Sequence, residues 1–329
     1  MNNNDGQEVF LIGQNVQKET SPTGQKEKVI VICGPTASGK TALSIELAKK
    51  VDGEIVSCDS MQIYKDMNIG TAKPMKEEMQ GIQHYLIDFV SPDERYSVAD
   101  YKKDAKKAIK EILQKGKTPI IVGGTGLYID SLIYEIEYQS IEFDEKYRNY
   151  LEKQVDEKGL EELYEQAKKI DPEAIEKISK NDKKRILRIL EIYHATGKNK
   201  TEQEKESRKK EVEYDYQVYA LNWDRNKLYE RIDKRVDMMI EQGLIDEVKE
   251  IYQKYKRFPT AMQGLGYKEV VEYLDGKITK EEMIDKIKQE TRRYAKRQLT
   301  WFRKNKQTTW LDAQDELQNN IKIILEKMV

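Results

Sequence analysis

Eight consecutive residues constrain this chain more than any others: Gly34, Pro35, Thr36, Ala37, Ser38, Gly39, Lys40 and Thr41 spell G-x-x-x-x-G-K-T. They follow Val29–Cys33, a continuous apolar run of strand type, and precede an amphipathic segment from Thr41 to Lys50. Strand, glycine-rich turn and helix are the context in which this motif cradles phosphate. Backbone N–H groups wrap the anion, the helix N-terminus adds its positive end, Lys40 supplies a point charge and the Thr41 hydroxyl can hold Mg²⁺. A diphosphate or triphosphate is the expected ligand. The motif alone does not say whether phosphate is transferred, hydrolysed or expelled, and an acidic partner for the metal has two candidates, Asp59 and Asp88.

Further short runs repeat the pattern. Glu54–Cys58 stops at Asp59, Tyr85–Val90 contains Asp88, and Pro119–Val122 ends in Gly123, Gly124, Thr125 and Gly126. Between the last two, Ser97 and Asp100 form a capping-box start, and Tyr101, Ala105, Ala108, Ile109 and Ile112 recur at helical spacing up to Gly116. Strands alternating with such helices imply a parallel sheet covered on both faces, with ligands at the carboxyl ends of the strands. Gly34, Asp59 and Thr125 all fall at such ends.

The expected organisation is a flexible tail over 1–28, a first core segment over 29–140, an all-helical insertion over 141–210, and a mostly helical second core segment over 211–329. Strand-type runs vanish in the insertion, where Lys/Glu-rich helical patterns are broken at Pro172 and Gly197, and return at Tyr216–Leu221 and Thr308–Leu311. The Lys198–Lys210 stretch reads as a solvated helix or linker. No internal repeat is found.

Composition excludes several classes. Fifty-eight Lys+Arg against 59 Asp+Glu leave a net charge of −1, so any polyanion site must be regional. Two histidines, His84 and His194, and two separated cysteines, Cys33 and Cys58, cannot build a histidine-rich metal site, a zinc ribbon or a disulfide framework. Charged residues at 36% and a mean hydropathy of −0.82 indicate long solvated helices. No run approaches a membrane span, so a cytoplasmic protein with no membrane partner is the expectation; it is expected to act as a monomer. The strongest basic stretch is Lys286–Lys306, where Arg292, Arg293, Lys296, Arg297, Arg303 and Lys304 interleave with Tyr294, Trp301 and Phe302, a pattern suited to an RNA backbone with the tryptophan and phenylalanine rings in the core.

Four motifs in order, GPTASGKT, Asp59–Tyr64 with Ile69–Pro74, Gly123–Tyr128 (GGTGLY) and Ala295–Arg303 (AKRQLTWFR), closely resemble the tRNA dimethylallyltransferase family. The resemblance covers Val29 to about Leu311. It implies a P-loop NTPase-like sheet with a helical insertion, and transfer of the dimethylallyl group from dimethylallyl diphosphate to N6 of adenine 37 beside the tRNA anticodon. The diphosphate would then be a leaving group on the phosphate loop, stabilised by Lys40 and by Mg²⁺ at Thr41. Asp59 matches the general base that relieves the poorly nucleophilic exocyclic amine of its proton, and Thr125 a residue near the reacting adenine. The target base must leave its stack to reach them.

The same resemblance places Asp59, Ser60, Met61, Gln62, Thr125 and Arg148 against tRNA. In the insertion, Asn181–Glu191 resembles the family's N-D-x-x-R-x-x-R-A-x-E stretch, with Ile189 in place of alanine, and offers Arg185 and Arg188 to phosphates. Arg231 and Arg235, at i and i+4, match a helix beside the diphosphate, where they either clamp it or pair with Glu230 and Asp233. Gln263–Tyr267 looks like a glycine-hinged loop near the RNA through Gly264 and Tyr267. Rival readings are a P-loop kinase of a nucleoside or small metabolite, a prenyltransferase of free adenine nucleotides, and a non-catalytic RNA-binding module.

Overall fold

The computed structural model describes residues 26–136, 144–207 and 211–328. Most of the expected tail therefore lies outside the described residues. In chain order the first core segment contains β1 (Lys28–Cys33), α1 (Lys40–Lys50), β2 (Gly53–Cys58), α2 (Lys76–Met79), β3 (His84–Tyr85), α3 (Val98–Gln114), β4 (Thr118–Gly123) and α4 (Gly126–Ile133). The insertion holds α5 (Glu145–Lys158), α6 (Glu161–Ile170), α7 (Pro172–Ile175), α8 (Lys183–Thr196) and α9 (Lys200–Ser207). The remainder is β5 (Asp215–Asn222), α10 (Arg225–Glu241), α11 (Leu244–Lys254), a 3₁₀ turn (Ala261–Gln263), α12 (Tyr267–Leu274), α13 (Lys280–Phe302), β6 (Thr309–Asp312) and α14 (Leu317–Met328).

The six strands form one parallel sheet in the order β3-β2-β4-β1-β5-β6. Burial on both faces explains why its strands read as unbroken apolar runs. Val29, Val31, Val56 and Ile121 pack with Tyr101, Ile109, Ile129 and Leu132 of α3 and α4. Ile30, Ile32, Ile55 and Ile120 face the other way, onto Leu43 and Leu47 of α1 and Ile321 and Ile324 of α14. Register brings Cys33 and Cys58 level with Gly123 from either side, and Ala220 level with Cys33. Gly34, Asp59 and Gly124 consequently emerge along one carboxyl edge, with β1 between strands of both halves of the chain.

The capping box at Ser97 is present: its Oγ accepts from Asp100 N at 3.3 Å, and the Asp100 carboxylate accepts from Ser97 N at 2.9 Å. The third strand is much shorter than Tyr85–Val90. It ends at Tyr85 because Leu86 (φ 57°) and Asp88 (φ 58°) adopt left-handed backbone, which turns the chain off the sheet before Val90 bridges Tyr64. The insertion is helical throughout its described part and has its own core of Leu151, Leu163, Tyr164, Ile186, Leu187, Ile189 and Leu190. Ile189 fills that core in place of alanine. A further cluster joins Ile63, Tyr64 and Met67, from the loop after β2, to Leu244, Val248, Tyr267, Val270 and Ile287 of α11–α13. The two halves of the chain thus meet around the loop that follows Asp59.

Candidate active site

The phosphate loop is held open by the second half of the chain. Gly34 (φ 148°) and Gly39 (φ 94°) take backbone conformations that favour glycine and turn the loop between β1 and α1. Arg231 Nε of α10 donates to Ala37 O at 2.8 Å, Trp223 Nε1 donates to Ser38 O at 3.0 Å, and Thr36 N donates to Gln298 Oε1 of α13 at 2.9 Å. The Arg231 guanidinium lies 4.6 Å from the centre of a Trp223 ring, a cation–π contact that fixes its plane. Ser38 Oγ is buried in the loop with no hydrogen-bond partner among the described residues.

Lys40 Nζ donates to Gly34 O at 3.1 Å and Pro35 O at 2.8 Å, so the ammonium folds onto the loop's own carbonyls. Burial, and next the nearby Arg235, bring its pKa down to about 8, against the opposing pull of Asp59. Burial, and then Arg231, also lower Arg235 from its ordinary value. Among the described residues none of Lys40, Arg231 and Arg235 forms an ion pair with a carboxylate, whereas Arg148 and Arg292, for example, do. Neither Glu230 nor Asp233 takes these arginines; Asp233 pairs with Arg292. Lys40 is crowded by Arg235, and Arg235 by Arg231, a gathering of positive charge suited to a multiply charged anion.

Across the strand ends, Asp59 Oδ1 accepts from Met61 N at 2.8 Å and Gln62 N at 3.2 Å. Its other oxygen has no hydrogen-bond partner among the described residues. Thr125 Oγ1 accepts from Ser60 N at 3.0 Å, and Thr125 N donates to Cys58 O at 3.2 Å, joining the ends of β2 and β4. Gln62 Nε2 donates to Thr71 O at 3.2 Å and Ala72 O at 3.1 Å, which ties the Ile69–Pro74 motif back to the Asp59 loop. That motif is gripped in turn by Glu247 of α11, whose carboxylate accepts from the amides of Asn68, Ile69 and Gly70 at 2.9, 2.7 and 3.1 Å.

Tyr267 also donates to Glu247, at 2.7 Å, and its side chain is 0% exposed. This corrects the expectation that Tyr267 faces RNA: it is the pillar under Gly70, where a Cβ would lie 2.5 Å from the ring. Gly264 is similarly packed, with a Cβ there only 2.6 Å from Met61 Cε. Asp88 is committed elsewhere, to Lys73 Nζ at 2.6 Å. Its candidacy as metal partner lapses, and Asp59 keeps the strand-end position.

Helix α13 completes the arrangement. Gln298 Nε2 donates to Gly124 O at 2.9 Å, Trp301 Nε1 donates to Asp130 Oδ2 at 3.0 Å, and Tyr294 sits against Thr125 and Asp59, where burial and then the Asp59 charge push its phenol up. Tyr294 stands out in the sequence only as part of the basic Lys286–Lys306 stretch, and Gln298 only as a position inside the AKRQLTWFR motif, with no role attached to either. Nothing local marks Trp223 or Glu247.

The insertion's arginines form a separate group. Glu191 accepts from Arg148 at 2.9 Å and Arg188 at 3.3 Å, while Glu152 takes Arg148 at 2.7 Å. Arg185 is 66% exposed, beside Asp182 at 3.4 Å. None of the three touches the strand-end residues. Lys184 Nζ does reach across the fold, to Gln263 Oε1 at 2.9 Å. On α13, Arg293, Lys296 and Arg297 are exposed, whereas Lys288 and Arg292 pair with Asp237 and Asp233 of α10. Both histidines are structural: His84 contacts Ile82 O, and His194 stacks on Tyr147 at 3.7 Å. Burial pushes the Cys33 thiol up to about 12, so it is inert at neutral pH.

The residues fit Mg²⁺ of one particular kind. No group of three or more His, Cys, Asp or Glu side chains among the described residues could hold a metal. Thr41 is exposed at the helix start, and its hydroxyl makes no hydrogen bond among the described residues. Mg²⁺ bound by few protein oxygens and by substrate phosphates needs no carboxylate cage.

A phosphate loop at the carboxyl edge of a parallel sheet, covered by helices on both faces and facing an acidic strand end, defines a P-loop α/β enzyme. Residues 62–305 match the sequence model of the IPP transferase family, and the chain belongs to that family. It is 52% identical over 299 residues to a tRNA dimethylallyltransferase of Acetivibrio thermocellus, covering 91% of this chain and 95% of the relative. It is 50% identical over 303 residues to one of Carboxydothermus hydrogenoformans, covering 92% and 96%. Among solved structures, a tRNA isopentenylpyrophosphate transferase of Bacillus halodurans superposes with a TM-score of 0.69 at 44% identity, over 92% of this chain and 96% of that one. A eukaryotic dimethylallyltransferase acting on tRNA gives 0.74 at 35% identity, over 87% and 74%.

Proposed function

We infer that this protein transfers the dimethylallyl group of dimethylallyl diphosphate to tRNA, at the exocyclic N6 amine of adenine 37 in the anticodon stem-loop. The observation that carries the reading is the placement of one unsatisfied carboxylate oxygen, Asp59 Oδ2, at the strand end beside a loop crowded with unpaired cations. In the step, the bond between the prenyl C1 and the diphosphate oxygen breaks, and its electron pair leaves with the diphosphate. The N6 lone pair forms the new C–N bond, and one N6 proton passes to Asp59 Oδ2 while Oδ1 stays held by Met61 and Gln62 amides.

Lys40, Arg231, Arg235 and the loop amides stabilise charge where it builds, on the departing diphosphate. Mg²⁺, when bound, adds further neutralisation of that charge, and the Thr41 hydroxyl would hold it. Thr125 and Ser60 shape the acceptor side, Met61 and Gln62 line the approach with Gly264 packed behind Met61, and the insertion with Arg148, Arg185 and Arg188 grips the RNA. We assign the activity to a single copy of the chain in the cytoplasm; no helix among the described residues is long and apolar enough to cross a membrane.

The test is mass spectrometry of an anticodon stem-loop carrying adenine 37, incubated with enzyme, Mg²⁺ and dimethylallyl diphosphate, with AMP as parallel acceptor. One prenyl group on that adenine is expected, and prenylation of AMP instead would overturn the RNA assignment. Asp59→Asn should lower kcat by about 10²–10⁴-fold while leaving RNA affinity near normal. Turnover close to that of the parent would remove Asp59 as the base.

A further inference from the structure

We propose that Gln298 is a positioning residue that holds the diphosphate-binding loop and the Gly124–Thr125 strand end at the separation the transfer requires. The proposal rests on the prenyl-transfer reading above. One planar amide serves both halves of the site: Oε1 accepts from Thr36 N of the loop at 2.9 Å, and Nε2 donates to Gly124 O at 2.9 Å. The side-chain amide carries its acceptor and its donor in one plane on the same carbon, and asparagine is one carbon shorter. Gln298 is 6% exposed, so neither bond is shared with bulk water.

The contact is close by construction. A Cβ on Gly124 would stand 2.2 Å from Gln298 Nε2, so the strand end is bare where the amide must approach. The next residue, Thr125, caps α4 and accepts from Ser60 N, which follows Asp59. A continuous path therefore runs from the loop through Gln298 to Gly124, Thr125 and Ser60, from the leaving-group side to the acceptor side. The helix bearing Gln298 is itself anchored, by Trp301 on Asp130 and by Arg292 on Asp233. Rigid support of this kind is what holds reacting atoms in register, and an error near 1 Å costs about 10²-fold in rate.

Gln298 touches no reacting atom in this reading, so its signature is a loss in kcat with binding preserved. Gln298→Met keeps the length and apolar volume and deletes both hydrogen bonds. Gln298→Glu keeps the acceptor for Thr36 N and sets a second acceptor against Gly124 O; it carries the test if the methionine variant does not fold. Steady-state kinetics with stem-loop RNA and dimethylallyl diphosphate should show kcat reduced by about 30–100-fold for Gln298→Met, with KM for RNA within about threefold of the parent. Thermal unfolding of the same samples establishes that each variant is folded at the assay temperature. A folded variant whose kcat stays within about twofold of the parent would overturn the proposal while leaving the prenyl-transfer reading intact. A parent enzyme that leaves the RNA unmodified would overturn that reading, and the proposal with it.

Discussion

Arg231 Nε donates to Ala37 O at 2.8 Å, a bond that closes 194 residues of chain between the phosphate loop and α10. The same guanidinium lies against Trp223, which holds the neighbouring carbonyl of Ser38. Its remaining N–H groups make no hydrogen bond among the described residues. Arg231→Lys keeps the charge but loses both the directed bond and the planar stacking. We expect kcat/KM for dimethylallyl diphosphate to fall by about 10–100-fold, a loss of ~1.4–2.7 kcal/mol. A lysine variant with parental kcat/KM would show that charge alone suffices.

The free enzyme carries a pH limit in Lys40. Its pKa of about 8 means the ammonium is charged below that pH and becomes neutral above it. A neutral amine attracts diphosphate less, so affinity for inorganic diphosphate should fall as pH rises through about 8. Conversely, bound diphosphate favours the charged form, and binding near that pH should take up protons. Calorimetry in buffers of different ionisation enthalpy reads that uptake directly. No net uptake at pH 8 would contradict the assignment.

Glu247 stabilises the Asn68–Gly70 turn through three amides and receives the buried Tyr267 hydroxyl as well. Glu247→Ala leaves a buried phenol and several amides unpaired. The expected cost is about 2–4 kcal/mol in unfolding free energy, measured by urea denaturation, with a weaker effect for Glu247→Gln. An alanine variant as stable as the parent would mean that water replaces the carboxylate.

Arg185 is more exposed than Arg148 and Arg188, the other two arginines of the insertion considered for RNA, and unlike them it does not pair with Glu191. As a phosphate contact it should act evenly on all RNA sequences. Arg185→Ala is expected to weaken stem-loop binding by about threefold to tenfold and to lower the salt slope by about one. An unchanged slope, measured by fluorescence anisotropy across salt concentrations, would take Arg185 out of the interface.

Local chemistry made part of this protein legible before its structure. The Gly34–Thr41 loop, the strand that feeds it and the Ser97 cap depend on residues a few positions apart. Their glycine, lysine and hydroxyl requirements therefore stand in the chain as a motif. Asp59 and Thr125 were readable as strand ends for the same reason, because apolar runs stop where a parallel sheet stops. The sequence over-extends β3 because an apolar run does not record that Leu86 and Asp88 take left-handed backbone.

What the linear order of residues determined is the set of chemical groups and the sheet that carries them. Tertiary structure alone decided how those groups are held. Burial of Tyr267, the grip of Glu247 on a turn 178 residues away and the Gln298 bridge across 262 residues depend on helices packing against loops from the other half of the chain. A hydrogen bond or a close packing contact at that separation is satisfied only when the whole core closes. Nothing in the residues beside Glu247 or Gln298 signals which distant amide each will meet.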